Sequence, residues 1–493
     1  MTATVADDAN PAAPVFEYRR RGRWLDDWEP ENQAFWESGG KKTAWKNLLF
    51  SVFSEHLGFN VWVIWTIVVT NMGSAGFAFM EGVGGKNPQA ISNALLLTSA
   101  PVLVGSALRV PYTFAIPRFG GRAFTAFSAT MLLLPCLGLA FFINHPATPL
   151  WVFLILAGLA GVGGGNFSSS MANISFFFPH GKKGLALGIN AAGGNLGVAV
   201  TQLVMPLVIT LGTTLLAKSP AGYRLGLTLA ALIWVPFIVI AAIAALLFMD
   251  SITSAKPDRY SYKVAMTNTN TWVMAFLYIG TFGSFIGFSF AFPTLIKANF
   301  PELNHVGIMV ALGNLAFLGA LVGSFTRPIG GWLADRTGGA KITLIVFVSM
   351  AAGIALIMAA LKIHNFPMYL VAFLALFVLT GVGNGSTYRM IPVIFNAEAK
   401  KAAAESGQEP AVAMASAKRQ AAAALGVVGA IGAFGGFVLQ QALRLSNIHF
   451  GSMAPAFWGY AALFLIMGSV TWWHYLRSGF AVQRVPSLAH ANV

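Results

Sequence analysis

Along the chain, long apolar runs alternate with short polar breaks. A helix needs about 20 apolar residues to cross the ~30 Å hydrocarbon core of a bilayer. Twelve stretches qualify: 47–72, 92–116, 123–143, 149–177, 185–212, 224–249, 269–296, 306–334, 342–361, 367–395, 420–443 and 455–476. The longest breaks, 250–268 and 396–419, follow the sixth and tenth spans and read as loops on the side of the chain termini. The pattern predicts an all-α membrane protein of twelve transmembrane helices. It divides into a bundle at 47–249, a linker at 250–268 and a second bundle at 269–477, with polar tails at 1–46 and 478–493.

Composition agrees with burial in lipid: 10% of residues are charged, against roughly 25% in soluble proteins. A net charge of +14 would suggest a nucleic-acid partner in a soluble chain. Placing the charges removes that reading. Of the 31 Lys and Arg residues, Lys86, Lys218, Arg224, Lys297, Lys362 and Arg444 fall on the far side. Arg109, Arg327 and Arg389 lie inside spans, which leaves 22 on the side of the termini. The positive-inside rule then puts both termini in the cytoplasm, with no nucleic acid involved. The single cysteine, Cys136, excludes a disulfide framework or thiolate metal site. Residues 1–46 carry no apolar stretch and form no signal peptide. The run "DDWEPENQAFW" within them reads as a partly ordered tail in preference to a surface-lying segment or partner site.

The two bundles repeat. An offset of 218 residues sets "GSALRVPYTFAIPRFGG" (105–121) over "GSFTRPIGGWLADRTGG" (323–339), matching Arg109 with Arg327 and Gly120 with Gly338. The same offset pairs Gly165, Asn166 and Ser168 with Gly383, Asn384 and Ser386. With 20 further residues in the later loop, Gly194, Gly197 and Gln202 meet Gly432, Gly435 and Gln440. A parallel repeat of six helices places a substrate site at the interface of the halves, near the bilayer midplane.

Arg109 and Arg327 are the leading candidates for that site. A guanidinium at the bilayer centre costs at least ~2.5–3.5 kcal/mol and should face the interior with a partner. The only carboxylate well inside a span is Glu55, so the two arginines are expected to be unpaired. Two such forks of N–H donors suit a small planar oxyanion. The glycine-dense block at 160–197 lets helix backbones approach closely. Its Asn166, Asn173, Asn190 and Asn195 need partners in a dry interior. Asn195 is the one expected to reach the substrate, because its counterpart is Ala433 and an asymmetric ligand breaks the repeat there.

That block resembles the nitrate signature of the nitrate/nitrite porters of the major facilitator superfamily, and "GNGSTYRMIPVIF" (383–395) resembles its second-half copy. "LYIGTFGSFIGFSFAF" (277–292) and "ALGVVGAIGAFGGF" (424–437) are also similar to that family, so the likeness runs through all twelve spans. It implies the major facilitator fold, nitrate and nitrite as substrates, no cofactor, no metal, and action as a monomer. It also implies that Arg109 and Arg327 hold the anion, that Phe167, Tyr278 and Phe282 sandwich it, and that Asn195 adds a polar contact.

The loop motif "GWLADRTGG" (331–339) looks like the superfamily's motif between the eighth and ninth spans, where Asp335 can cap a helix or meet a basic neighbour. The first-half copy carries Pro117 in place of the aspartate, so that half should be latched differently. Glu55 and His56 lie about two turns inside the first span, where a carboxylate is expected to reach water. No titratable group is expected around the arginines. Moving one anion into a negative interior costs ~2.3 kcal/mol per 100 mV. Uniport is therefore a poor route, and exchange is preferred to proton symport. A sugar carrier would show an acidic or amide lining, a sensor an added signalling domain, and a channel a continuous pore. No catalytic constellation suggests an enzyme.

Overall fold

The computed structural model describes residues 20–21, 23–85, 87–255, 259–305, 307–407, 409–478, 487–489 and 493. Residues 1–19 of the expected tail, and most of the second tail, lie outside the described residues. The first bundle comprises α1 (Lys41–Val63, running on as Trp65–Met72), α2 (Pro88–Phe119), α3 (Gly121–Phe142), α4 (Leu150–Phe177), α5 (His180–Leu215) and α6 (Pro220–Phe248). The second comprises α7 (Thr269–Asn299), α8 (Phe317–Thr337), α9 (Gly339–Lys362), α10 (Phe366–Ser406), α11 (Pro410–Phe450) and α12 (Ala454–Leu476). Eleven helices among the described residues are long and apolar enough to cross a membrane, and α8 is the exception. The two bundles meet where α2 packs on α11 and α5 on α8.

Three expectations need correction. The eighth span does not run unbroken over 306–334: the chain takes positive φ at Gly313 (59°) and Leu315 (65°), which a right-handed helix cannot hold, and α8 starts at Phe317. The break at 396–419 is not a loop. α10 and α11 both extend through it as 41-residue helices that turn near Gly407, whose φ of 67° closes α10. The stretch is polar yet rich in Ala, Lys and Glu, which are strong helix formers, so low hydropathy did not mean a loop there. Third, the amino-terminal segment is folded from Arg23 onward. Trp24–Leu25 pairs in parallel with Ser251–Ile252, and Trp28 and Trp36 pack on Phe177 and Phe178 at 5.4 and 5.7 Å between ring centroids.

The repeat is visible in the loops. Gly120 and Gly338 adopt φ of 80° and 91°, and each closes its helix by donating its N–H to the carbonyl of Ile116 or Ala334, which are themselves a repeat pair. The halves then diverge. Asp335 pairs with Arg389, whereas Pro117 and Met171 occupy the equivalent positions of the first half. There the loop docks on the linker, with the Arg122 N–H donating to Ser251 Oγ at 3.3 Å. The adjoining Asp250 is fully buried and takes Lys46 at 2.7 Å, Arg23 at 3.6 Å and the Asn47 amide at 3.2 Å. Asp250→Asn should cost on the order of 2 kcal/mol, seen as a lower thermal midpoint in detergent. Asp335→Asn, whose pair is about half exposed, should cost under ~1 kcal/mol.

Candidate functional site

The second-half wall of the site is built on α7. A π-helical turn at Ile279–Gly283 interrupts that helix, and such turns recur at functional positions. Across it, Tyr278 and Phe282 stack at 5.2 Å between centroids and 21° between planes. Gly432 of α11 lies against Tyr278, and Gly435 lets the backbone of α11 approach Gly283 closely. A side chain at Gly432 would strike Tyr278, and one at Gly435 would strike Ile279 in the π-helical turn.

Arg109 reaches the same place from α2. It is 1% exposed, its guanidinium lies 4.7 Å from the Phe167 ring centroid and 5.2 Å from that of Phe282, and Nη1 donates to the Gly429 carbonyl at 3.2 Å. Its Nε and Nη2 have no hydrogen-bond partner. From α8, the Arg327 Nη2 lies 3.5 Å from the Tyr278 hydroxyl and its guanidinium 5.4 Å from the Tyr388 ring, while Nη1 is unpartnered. The Tyr278 hydroxyl donates to Asn384 Oδ1 at 2.5 Å, leaving its lone pairs toward Arg327. Among the described residues, neither arginine meets a carboxylate within ion-pairing distance. Buried donors aimed at nothing are costly. Those of Arg109 face a cavity of about 400 Å³ lined also by Phe167 and by Tyr278 and Tyr388, the two tyrosines that Arg327 contacts, and the cavity continues to Tyr262 on the linker helix Arg259–Thr267.

The far side of the cavity is sealed by contacts between the halves. Gln202 donates to the Ser289 carbonyl at 2.8 Å, and its repeat partner Gln440 accepts from Thr98 at 2.7 Å. Trp62 meets Phe290 at 4.9 Å. The cavity therefore lies toward the side of the termini.

Arg109, Arg327, Phe167, Tyr278 and Phe282 thus come together. Asn195 is 2% exposed on α5 with Oδ1 unpartnered, and no hydrogen bond links it to either arginine. Tyr388 was missed from sequence. It sits in "GNGSTYRMIPVIF", but its first-half equivalent is Ser170, so the repeat gave no reason to select it.

Glu55 also departs from expectation. Far from reaching water, it is 1% exposed and accepts from Ser170 Oγ and, at 2.5 Å, from the Asn190 amide. Ser170 lies one turn along α4 from Phe167, on the same helix that carries the ring under Arg109. His56 contacts the Gly193 carbonyl at 2.9 Å through Nδ1.

The Major Facilitator Superfamily profile matches residues 48–439. A nitrate/nitrite transporter of Salmonella typhimurium, NarU, is 41% identical over 467 residues, covering 92% of this chain and 96% of its own. The chain belongs to the nitrate/nitrite porter family of the major facilitator superfamily. A probable nitrate/nitrite antiporter of Thermus thermophilus, NarK2, is 33% identical, covering 93% of this chain and 98% of its own. The inward-open xylose transporter XylE of E. coli, 12% identical, superposes with a TM-score of 0.61 over 87% of this chain and 96% of its own, which supports the fold. Membership makes the chain a multi-pass membrane transporter and not an enzyme.

Proposed function

We propose that this porter carries nitrate and nitrite across the cytoplasmic membrane by alternating access, with the anion clamped between Arg109 and Arg327 and flanked by Phe167, Tyr278 and Phe282. The observation that carries this is the pair of repeat-related arginines with unpartnered N–H donors, Arg109 on the cavity beside Phe282 and Arg327 against the cavity's Tyr278 and Tyr388, with no carboxylate in ion-pairing distance of either. With the termini in the cytoplasm, the cavity is open inward. Asn195 is retained as a polar contact that forms as the halves move. The chain works as a monomer in lipid and needs no cofactor.

Two modes follow from charge. Two like charges in an empty site repel each other and disfavour closure, which gives obligatory exchange of nitrate for nitrite. The relative named as a probable antiporter supports that mode. A second reading, nitrate moving with a proton, rests on one observation: a buried carboxylate, Glu55, stands beside the arginine site where no titratable group was expected. Proteoliposomes with clamped internal pH separate the two. Uptake of nitrate into nitrite-free vesicles under an inward proton gradient is the result that the second reading predicts. Little uptake without internal nitrite, with strong acceleration of nitrate efflux by external nitrite, would return the mode to exchange.

A further inference from the structure

Glu55 is the one buried carboxylate among the described residues that no cation neutralises, since Asp250 has Lys46 and Arg23. An ionised carboxylate in such a place is costly unless paired, and a protonated one is not. Its surroundings serve either state. Ser170 Oγ and the Asn190 amide converge on Oε2, and Ser51 Oγ lies 3.1 Å from Ser170 Oγ. Oε1 and Asn190 Oδ1 have no partner, so each can take part in a hydrogen bond when a proton arrives. Gly194 of α5 leaves just enough room for the carboxylate, because a Cβ there would strike it.

The link from Glu55 to a cation runs along α4: Ser170 holds the carboxylate, and one turn away the Phe167 ring lies 4.7 Å from the guanidinium of Arg109. From α4 and α5 it meets only a hydroxyl and an amide. α6 carries no titratable side chain between Arg224 and Met249. His56, next on its own helix, is turned to the Gly193 carbonyl. Among the described residues no cation is in ion-pairing distance of Glu55, and the arginine site proposed to hold the anion is the charged site to which α4 ties it.

We propose that filling of the anion site raises the proton affinity of Glu55, and protonation of Glu55 the affinity for the anion, so that nitrate and a proton favour each other's presence in the porter. This rests on the arginine site described above. With the site empty, burial favours the protonated form while the arginines oppose it, and to the extent that Glu55 is ionised it cancels part of their repulsion. An arriving anion cancels the arginines' field and leaves Glu55 as an uncompensated buried charge, which a proton removes. A unit charge about 10 Å away, at an effective dielectric of about 20, changes proton affinity roughly tenfold. By linkage the same factor applies in reverse: a protonated Glu55 tightens nitrate binding roughly tenfold. Where Glu55 is ionised in the empty site and protonated in the loaded one, the two sites carry the same net charge and the empty carrier can also return, which is what symport requires.

The test is calorimetric titration of nitrate into the full-length porter in detergent. Buffers of different ionisation enthalpy at one pH give the protons taken up per anion bound. Wild type should take up about half a proton per anion at the middle of the coupled pH range, and its nitrate affinity should fall roughly tenfold as pH rises through that range. Glu55→Gln should bind nitrate with no proton uptake and an affinity that no longer changes with pH. Glu55→Asp, which keeps the carboxyl group, should retain the uptake. Nitrate binding by wild type without proton uptake overturns the proposal, and that measurement needs no variant to fold. Proton uptake unchanged in Glu55→Gln overturns it as well. Failure of the arginine site is read separately, as nitrate binding undiminished in Arg109→Lys.

Discussion

Arg109→Lys is expected to bind nitrate at least about tenfold more weakly than wild type, and Arg327→Lys to do the same, the scale of one charge-assisted hydrogen bond. Lysine keeps the positive charge, so field alone is not what is removed. What is lost is the planar fork. In Arg109 one nitrogen is engaged by the Gly429 carbonyl while Nε and Nη2 remain for a ligand, and the guanidinium carbon lies 4.7 and 5.2 Å from the ring centroids of Phe167 and Phe282. An ammonium offers donors in no fixed fork and stacks on neither ring in that way. Equilibrium binding to the purified variants measures the loss, with the thermal midpoint as a check on folding. Wild-type affinity in both variants would remove the site assignment.

Gly164→Leu is expected to reduce nitrate uptake to background while the protein stays in the membrane. A Cβ at Gly164 would lie 2.5 Å from the indole of Trp62, and the one at Gly105 would lie 3.2 Å from the Gly164 Cα, so α1, α2 and α4 meet here with no space for a side chain. Trp62 is also the residue that donates to the Pro101 carbonyl at 2.7 Å and packs on Phe290 across the halves. Leucine would displace it and with it the seal on the far side. Gly194→Leu should act alike from α5, because its Cβ would strike Glu55. Uptake by vesicles, normalised to porter in the membrane fraction, measures the effect. Normal turnover in either variant would remove these glycines from the transport cycle.

Much of this was legible in the sequence because lipid imposes simple demands. Every spanning helix must be apolar over its length, which is why the runs appear one after another. The cost of a buried guanidinium made Arg109 and Arg327 conspicuous, and the offset of 218 residues tied them together. The paired loop glycines, Gly120 and Gly338, share the backbone conformation and hydrogen bond that the repeat implied. Asp335 meets a basic neighbour, Arg389, as its motif suggested.

What escaped the sequence depends on contacts between helices or on helices outside the bilayer. Hydropathy cannot register the polar extensions of α10 and α11, which form because alanine, lysine and glutamate favour a helix in water too. The seal of Trp28 and Trp36 on the end of α4 needs the partner surface of Phe177 and Phe178 to be seen. Glu55 was misplaced for the same reason. Two turns from the end of a lone helix, a carboxylate would reach water, but Ser170 of α4 and Asn190 of α5 enclose it. Tyr388 stood in a conspicuous segment, yet only its position against Arg327 marks it out.

The claim that one anion is held by both arginines is tested most directly by a double-mutant cycle of nitrate binding, with wild type, Arg109→Lys, Arg327→Lys and the double variant measured in one buffer. Groups that grip a single ligand are coupled, and such cycles return interaction energies of about 0.5–3 kcal/mol. The predicted result is a double variant that loses at least about 1 kcal/mol less than the sum of the single losses, because one lysine already spoils the clamp. Strictly additive losses would mean that the arginines act at separate places, and the shared anion site would be contradicted.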